Sequence, residues 1–269
     1  MIWDCGKRQI ECDKEVLIMG IVNVTPDSFS DGGKWFDNEN AINHAVQLVN
    51  EGADILDFGA QSTRPGYEEI SPEEEWQRLE PVLTEIRSMT DVPISVDTYF
   101  PYVAEKALHC GVDIINDVSG IVHPKMAQIV KKSHCGWILM HNGAGSVDEV
   151  KAFFKNAVQE CLDFGIEKKQ LCLDMGIGFG KNYEENLELL ANCAEYRMDD
   201  IPLLLGTSRK RVIAASSKQP DPLQRTYGNI AADTAAILGG VNIIRLHDVK
   251  NEKQGILTAQ EIKRMMKNE

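Results

Sequence analysis

The stretch PISVDTYFPYVAEKALHCGVDIINDVSG, residues 93–120, decides the fold. It opens on a short apolar run that stops at Asp97. A Pro-initiated amphipathic segment follows and ends at Gly111, and a second apolar run then stops at Asn116 and Asp117. Near-continuous apolar runs of this length suit parallel strands buried on both faces, and the segment between them has helical spacing. The same unit recurs in both directions. Strands are expected over 16–23, 54–59, 93–97, 113–117, 136–141, 170–174, 202–206 and 242–246. Helical patterns lie between them, among them AINHAVQLVNEG before the stop at Gly52 and VDEVKAFFKNAVQECLDFG. Others are QRTYGNIAADTAAILGG and the closing TAQEIKRMMKN. Ser71-Pro72-Glu73-Glu74 combines an N-cap residue, Pro at the first helical position and early acids.

Strands alternating with helices at about 30-residue spacing fit either a closed barrel or an open doubly wound sheet. The polar residues separate the two. Almost every expected strand ends in a reactive group: Asn23, Asp57, Asp97, Asn116 with Asp117, His141, Asp174, Ser208 with Lys210, and Arg245 with His247. An open sheet uses one switch point and few strand ends, whereas a barrel converges all of its ends on one mouth. The expectation is an α/β protein, a single TIM-type (β/α)8 barrel spanning residues 1–269, with its site at the C-terminal ends of the strands.

Composition narrows the function. The chain of 269 residues is 43% apolar, enough for a substantial core, and has no apolar run of membrane-spanning length. The N-terminal residues lack the basic and apolar regions of a signal peptide. Seven scattered cysteines without a C-x-x-C pair argue against zinc or a disulfide framework and for a reducing, cytoplasmic setting. A net charge of −13 argues against nucleic acid, although a local Arg/Lys cluster still permits a small anionic substrate.

The individual motifs have a chemical and a plainer reading. MGIVNVTPDSFSDGG (19–33) is either an ordinary turn-rich loop or a lid carrying Phe29. In DFGAQSTRPGY (57–67), Thr63 and Arg64 suit phosphate oxygens, or else serve as a helix cap with a solvated Arg. Asp97 and Asn116 end buried strands and need a partner or a ligand. Asp117 faces the opposite way from Asn116, so Asn116 is favoured for the mouth. LDMGIGFGK (173–181) is a glycine-rich path close to a ligand that does not match a dinucleotide fingerprint. Ser208 and Lys210 follow the seventh strand, and Arg245 and His247 share one face of the eighth, where barrels commonly bind phosphate. Arg209, Arg211 and the histidines at 44, 109, 123 and 134 are expected to be structural.

Taken in order, MGIVNVTPDSFSDGG, STRPG, SVDT, IINDVSG, GFGKN, GTSRK and RLHDV, from Met19 to Val249, resemble the dihydropteroate synthase family. The resemblance implies a homodimeric barrel using Mg²⁺. It would condense 6-hydroxymethyl-7,8-dihydropterin pyrophosphate with 4-aminobenzoate. It further implies pterin contacts from Asp97, Asn116, Met140, Asp174, Phe179 and Lys210. Pyrophosphate contacts would come from Asn23, Thr63, Arg64, Arg245 and His247, with Asn23 also meeting the metal. Aminobenzoate contacts would come from Thr63, Pro65, Ser208 and Lys210. Asp97, Asp174, Lys210 and Arg64 are the expected catalytic set. The chain departs from the family pattern at Gln61, where Glu is usual, at Met175 and Ile177, at His123, and in a short segment after His141. Rival readings are a pterin-dependent methyltransferase, a silent pterin-binding paralogue and a phosphosugar barrel enzyme.

Overall fold

The structure, a computed structural model, describes residues 1–24, 34–61 and 69–266. It begins with a short antiparallel hairpin of β1 (Ile2–Asp4) and β2 (Gln9–Glu11). Then come β3 (Leu17–Asn23), α1 (Lys34–Glu51), β4 (Ile55–Gly59), α2 (Pro72–Met89), β5 (Ile94–Asp97) and α3 (Pro101–His109). Next are β6 (Ile114–Asp117), α4 (Pro124–Ser133), β7 (Gly136–Met140), α5 (Val147–Phe164), β8 (Leu171–Asp174) and α6 (Tyr183–Ala191). The chain finishes with β9 (Leu203–Leu205), α7 (Arg211–Ser217), α8 (Thr226–Leu238), β10 (Ile243–Leu246) and α9 (Val249–Met266). Strands β3 to β10 are parallel and close into a barrel in chain order, with β10 pairing β3. The eight expected strands are therefore present, each within a residue or two of its expected ends.

Sequence chemistry explains the local structure. Ser71 caps α2 by accepting the Glu74 N–H at 3.1 Å, with Pro72 at the first helical position, as its sequence announces. Ser146 and Glu149 form a reciprocal capping box at α5, which ends at Gly165 in the left-handed region (φ 84°). Helices α4, α6 and α7 are short and were not singled out by pattern. Helix α9 begins at Val249, well before the TAQEIKRMMKN stretch.

Strand side chains alternate between two apolar layers. Ile18, Val22, Leu56, Phe58, Val96, Ile115 and Leu139 point outward and pack under the helices. Met19, Ile55, Ile114, Ile138, Cys172, Leu204 and Ile243 fill the barrel interior. The N-terminal hairpin, absent from the sequence reading, seals that interior from below. Trp3 is fully buried there and its indole N–H donates to the Gln170 carbonyl at 2.9 Å. Cys5, Ile10 and Cys12 join the same cluster. Two residues further along five of these strands, on the same inward face, the side chains become Asp57, Asn116, Met140, Asp174 and Arg245. The barrel thus holds a polar tier directly above an apolar plug.

Candidate active site

Arg245 organises the polar tier. Its Nε donates to Asp57 Oδ2 at 2.6 Å and its Nη2 to Asp97 Oδ2 at 2.9 Å. Asn116 Nδ2 donates to the same Asp57 oxygen at 3.1 Å. Asp57 is fully buried, and burial works against the Arg245 charge, but Asp57 and Asp97 outweigh it and hold the guanidinium cationic. Two buried acceptors are left without any donor among the described residues, Asp57 Oδ1 and Asn116 Oδ1. Unsatisfied buried acceptors cost stability, so a pair of them at a barrel mouth points to N–H groups supplied from outside.

The flanking groups carry perturbed protons. Burial pushes the Asp97 carboxyl up to about 7; Arg245 opposes that rise, and Asp57 and Asp117 add to it. Asp174, the last residue of β8, is also raised by burial, against the pull of Lys210, and its Oδ1 accepts the Gly176 N–H at 2.8 Å. Burial lowers the Lys210 ammonium to about 8, with Asp174 opposing. Lys210 Nζ donates to the Ile177 carbonyl and stands 4.7 Å from the centre of the Phe179 ring. Met140 is buried at the end of β7, in register with Asp174. Asp97, Asn116, Asp174, Lys210 and Arg245 therefore lie together at the barrel mouth, and Asp117 is turned away from them, buried and accepting the Ser119 N–H at 2.9 Å.

At the adjoining rim, Ser208 Oγ lies 3.0 Å from His247 Nδ1 and also accepts the His247 backbone N–H at 3.2 Å. The turn that carries Ser208 and Lys210 is closed by the Lys210 N–H on the Thr207 carbonyl at 3.0 Å. Arg209 takes a left-handed conformation there (φ 62°), an uncommon state for a side-chain-bearing residue. Arg225 supports it by donating to the Arg209 carbonyl at 2.6 Å.

A family model described as pterin binding enzyme matches residues 19–247. Dihydropteroate synthase of Clostridium beijerinckii is 40% identical over 253 residues, covering 91% of this chain and 93% of its own. This chain belongs to the dihydropteroate synthase family of pterin-binding enzymes. The Xanthomonas albilineans synthase solved with 4-aminobenzoic acid superposes with a TM-score of 0.91 at 37% identity, covering 97% of this chain and 98% of that one. The same synthase in complex with 7,8-dihydropteroate gives 0.89 at 36% identity, covering 98% and 99%.

Within this synthase-family site, Thr63, Arg64 and Pro65 lie outside the described residues, as do Asp27 and Phe29. Asn23 closes β3 with an exposed side chain that makes no hydrogen bond to the described residues. No cluster of three or more His, Cys, Asp or Glu side chains able to hold a metal occurs among the described residues. One free amide oxygen fits Mg²⁺, which keeps waters and takes most of its ligands from substrate phosphates.

Further residues support the site without belonging to the expected set. Asp57, two residues above Ile55 in register, belongs to the polar tier and not merely to a strand end. Lys181 Nζ donates to the carbonyls of His141, Gly176 and Phe179 at 3.2, 2.9 and 3.2 Å, tying the turns after β7 and β8. Gln61, the departure from the family Glu, accepts the Ile70 N–H at 3.1 Å and donates to Tyr99 Oη at 2.7 Å. Tyr99 in turn donates to Glu69 at 2.6 Å, so both ends of segment 62–68 are tied together. Met175 and Ile177, the other departures, are buried in the outer core.

Proposed function

We propose that this chain is a dihydropteroate synthase that joins 6-hydroxymethyl-7,8-dihydropterin pyrophosphate to 4-aminobenzoate, releasing pyrophosphate. The observation that carries the reading is the polar tier, with two unsatisfied acceptors, two further carboxylates and an ammonium next to the rim that holds Ser208 and His247. A pterin edge is a row of amide-like donors and acceptors that matches this set. Asp57, Asn116, Asp97 and Asp174 offer acceptors to its N–H groups, and Lys210 donates to its carbonyl and ring nitrogen. Met140 and Phe179 offer apolar surface to its face.

The C–O bond to pyrophosphate breaks first, leaving a cationic methylene conjugated with the electron-rich dihydropterin. Arg245 and His247, joined by Thr63 and Arg64 as the family resemblance implies, stabilise the departing charge, and the Asp97 and Asp174 carboxylates face the developing cation. The aromatic amine then forms the C–N bond and loses one proton, so no protein nucleophile is required. Ser208 and Lys210, with Thr63 and Pro65, orient the aminobenzoate. Asn23 would hold Mg²⁺, which would supply Lewis-acid charge neutralisation.

We also propose a cytoplasmic homodimer. In its support, all seven cysteines are free, and the packed helices α8 and α9 expose Tyr227 and Leu257. Light scattering at twice the chain mass tests the dimer. No helix among the described residues is long and apolar enough to cross a membrane. The deciding experiment follows dihydropteroate by mass from both substrates and Mg²⁺, with Asp174→Asn as control. Product that falls by about 10²-fold in the control is expected; pterin binding without product would favour the silent paralogue.

A further inference from the structure

Behind the rim, and outside the polar tier, two acidic side chains are buried against each other. Asp233 on α8 accepts the Thr207 hydroxyl at 3.0 Å, and Glu252 in the first turn of α9 accepts Asn229 Nδ2 at 3.1 Å. All four residues are buried. Asn229 and Asp233 lie one turn apart on α8, so the Glu252 carboxyl held by Asn229 sits against Asp233, and its buried Oε2 has no hydrogen-bond partner among the described residues. Two groups that only accept cannot bind one another without a proton between them.

We propose that Asp233 and Glu252 share one proton and act together as positioning residues, bracing through Thr207 the turn that presents Ser208 and Lys210. This rests on the synthase reading of that turn. Thr207 immediately precedes Ser208, and its carbonyl closes the turn on Lys210. Glu252 lies on the helix that starts two residues after His247, the partner of Ser208. The carboxyl pair therefore links the two turns that meet at the rim, from the side away from substrate.

The surroundings keep the proton in place. Burial raises both carboxyls, Asp233 to about 7 and Glu252 to about 8; Thr207 and Glu252 pull Asp233 back down, whereas the Asp233 charge pushes Glu252 further up. Asp248, at the start of α9, pushes Glu252 in the same direction. The neighbouring cations are engaged elsewhere: Lys253 donates to the Glu51 carbonyl and Arg225 to the carbonyls of Gln219, Arg209 and Pro220. On α1, Glu51 accepts Gln47 Nε2. On α6 and α7, Glu184, Glu188 and Arg211 are exposed and Glu185 caps its own helix. Strand β3 carries no titratable group.

The test compares the full-length wild type with Glu252→Gln, Glu252→Ala and Thr207→Val. The glutamine amide donates to Asp233 without needing a proton. A carboxyl raised in the folded state binds its proton more tightly than the unfolded chain does. Wild-type stability from this pair therefore falls as pH rises toward about 8, and Glu252→Gln escapes that fall. The Tm of the wild type should drop relative to Glu252→Gln by about 3 °C per pH unit between pH 6 and 8. The wild type should also show a protonated-carboxyl infrared band that Glu252→Gln lacks.

For positioning, Glu252→Ala and Thr207→Val should lower kcat/KM for the pterin substrate about tenfold, with Glu252→Gln within about twofold of wild type. Binding of 6-hydroxymethyl-7,8-dihydropterin, followed by calorimetry, should weaken in parallel. A pH-independent Tm difference or a missing band would overturn the shared proton. Equal turnover and equal pterin affinity in Thr207→Val would overturn positioning even if Glu252→Ala fails to fold. A wild type that binds pterin but makes no product sinks the synthase reading alone, because the Tm and binding comparisons still read the brace.

Discussion

Arg245→Ala should destabilise the protein in a pH-dependent way. Arg245 gives its Nε to Asp57 and its Nη2 to Asp97, and Asp57 is wholly buried. Truncation leaves Asp57 with the single Asn116 donor on one oxygen and none on the other. Removing one partner of a buried pair costs about 3–5 kcal/mol, and the lower end applies because about a fifth of Arg245 remains exposed. At roughly 2–4 °C per kcal/mol for a chain of this size, Tm should fall by about 6–12 °C at pH 8. Burial raises Asp97 to about 7, so below that pH it holds a proton in the variant and largely in the wild type. Its share of the penalty is therefore small at pH 6 and grows toward pH 8. Replacing Asp57 by Asn in the same chain removes the stranded charge and should recover at least half of the loss. Calorimetric melts at the two pH values provide the measurement. Equal losses at both pH values, or strictly additive effects of the two substitutions, would refute the view of Arg245 as the counter-charge of this tier.

Gly176 adopts φ 68°, and a Cβ there would lie 1.9 Å from the His141 carbonyl oxygen. Gly176→Ala should cost about 3 kcal/mol or more in urea melts and disturb the Asp174 contact to the Gly176 N–H. Ser146→Ala removes the α5 cap and should cost about 1 kcal/mol with turnover unchanged, since α5 presents no expected substrate contact. The pH profile of kcat/KM should rise through about 7 as Asp97 ionises and fall through about 8 as Lys210 loses its proton. Lys210→Arg should lower the maximum and abolish the upper limb, because a guanidinium stays charged.

The barrel was legible because buried parallel strands leave long apolar runs, and because each run in this chain ends in a polar residue. The same periodicity of two separates Asn116 from Asp117. Long-range partnerships left no such trace. Asp57 and Arg245 are 188 residues apart, and nothing in either local sequence announces the ion pair. The N-terminal hairpin has strands of only three residues, too short for a periodic signal, yet its Trp3 closes the barrel floor. Lys181 reads locally as a solvated charge at the end of a glycine loop. Its role depends on three carbonyls that turn toward it only because Gly176 and Gly180 take left-handed conformations. Polar brackets such as Gln61 with Tyr99 and Glu69 are likewise invisible until the loop ends meet.

The ion-pair geometry also joins what residue-by-residue assignment keeps apart. Arg245 was expected among the pyrophosphate anchors and Asp97 among the pterin contacts, yet one guanidinium serves both Asp57 and Asp97. A pyrophosphate that draws on Arg245 withdraws positive charge from those two carboxylates. They are then left with more negative potential facing the position where the methylene cation develops. Departure of pyrophosphate with its own negative charge reverses the balance and returns Arg245 to the carboxylates. On the proposed reading, the leaving-group site and the cation-stabilising site are coupled through a single side chain. On this account Arg245→Lys, which retains one charge but cannot fork between two carboxylates, should depress kcat more than it raises KM. Steady-state kinetics on both substrates measures that split, and a loss confined to KM would show that Arg245 acts only in binding the pyrophosphate.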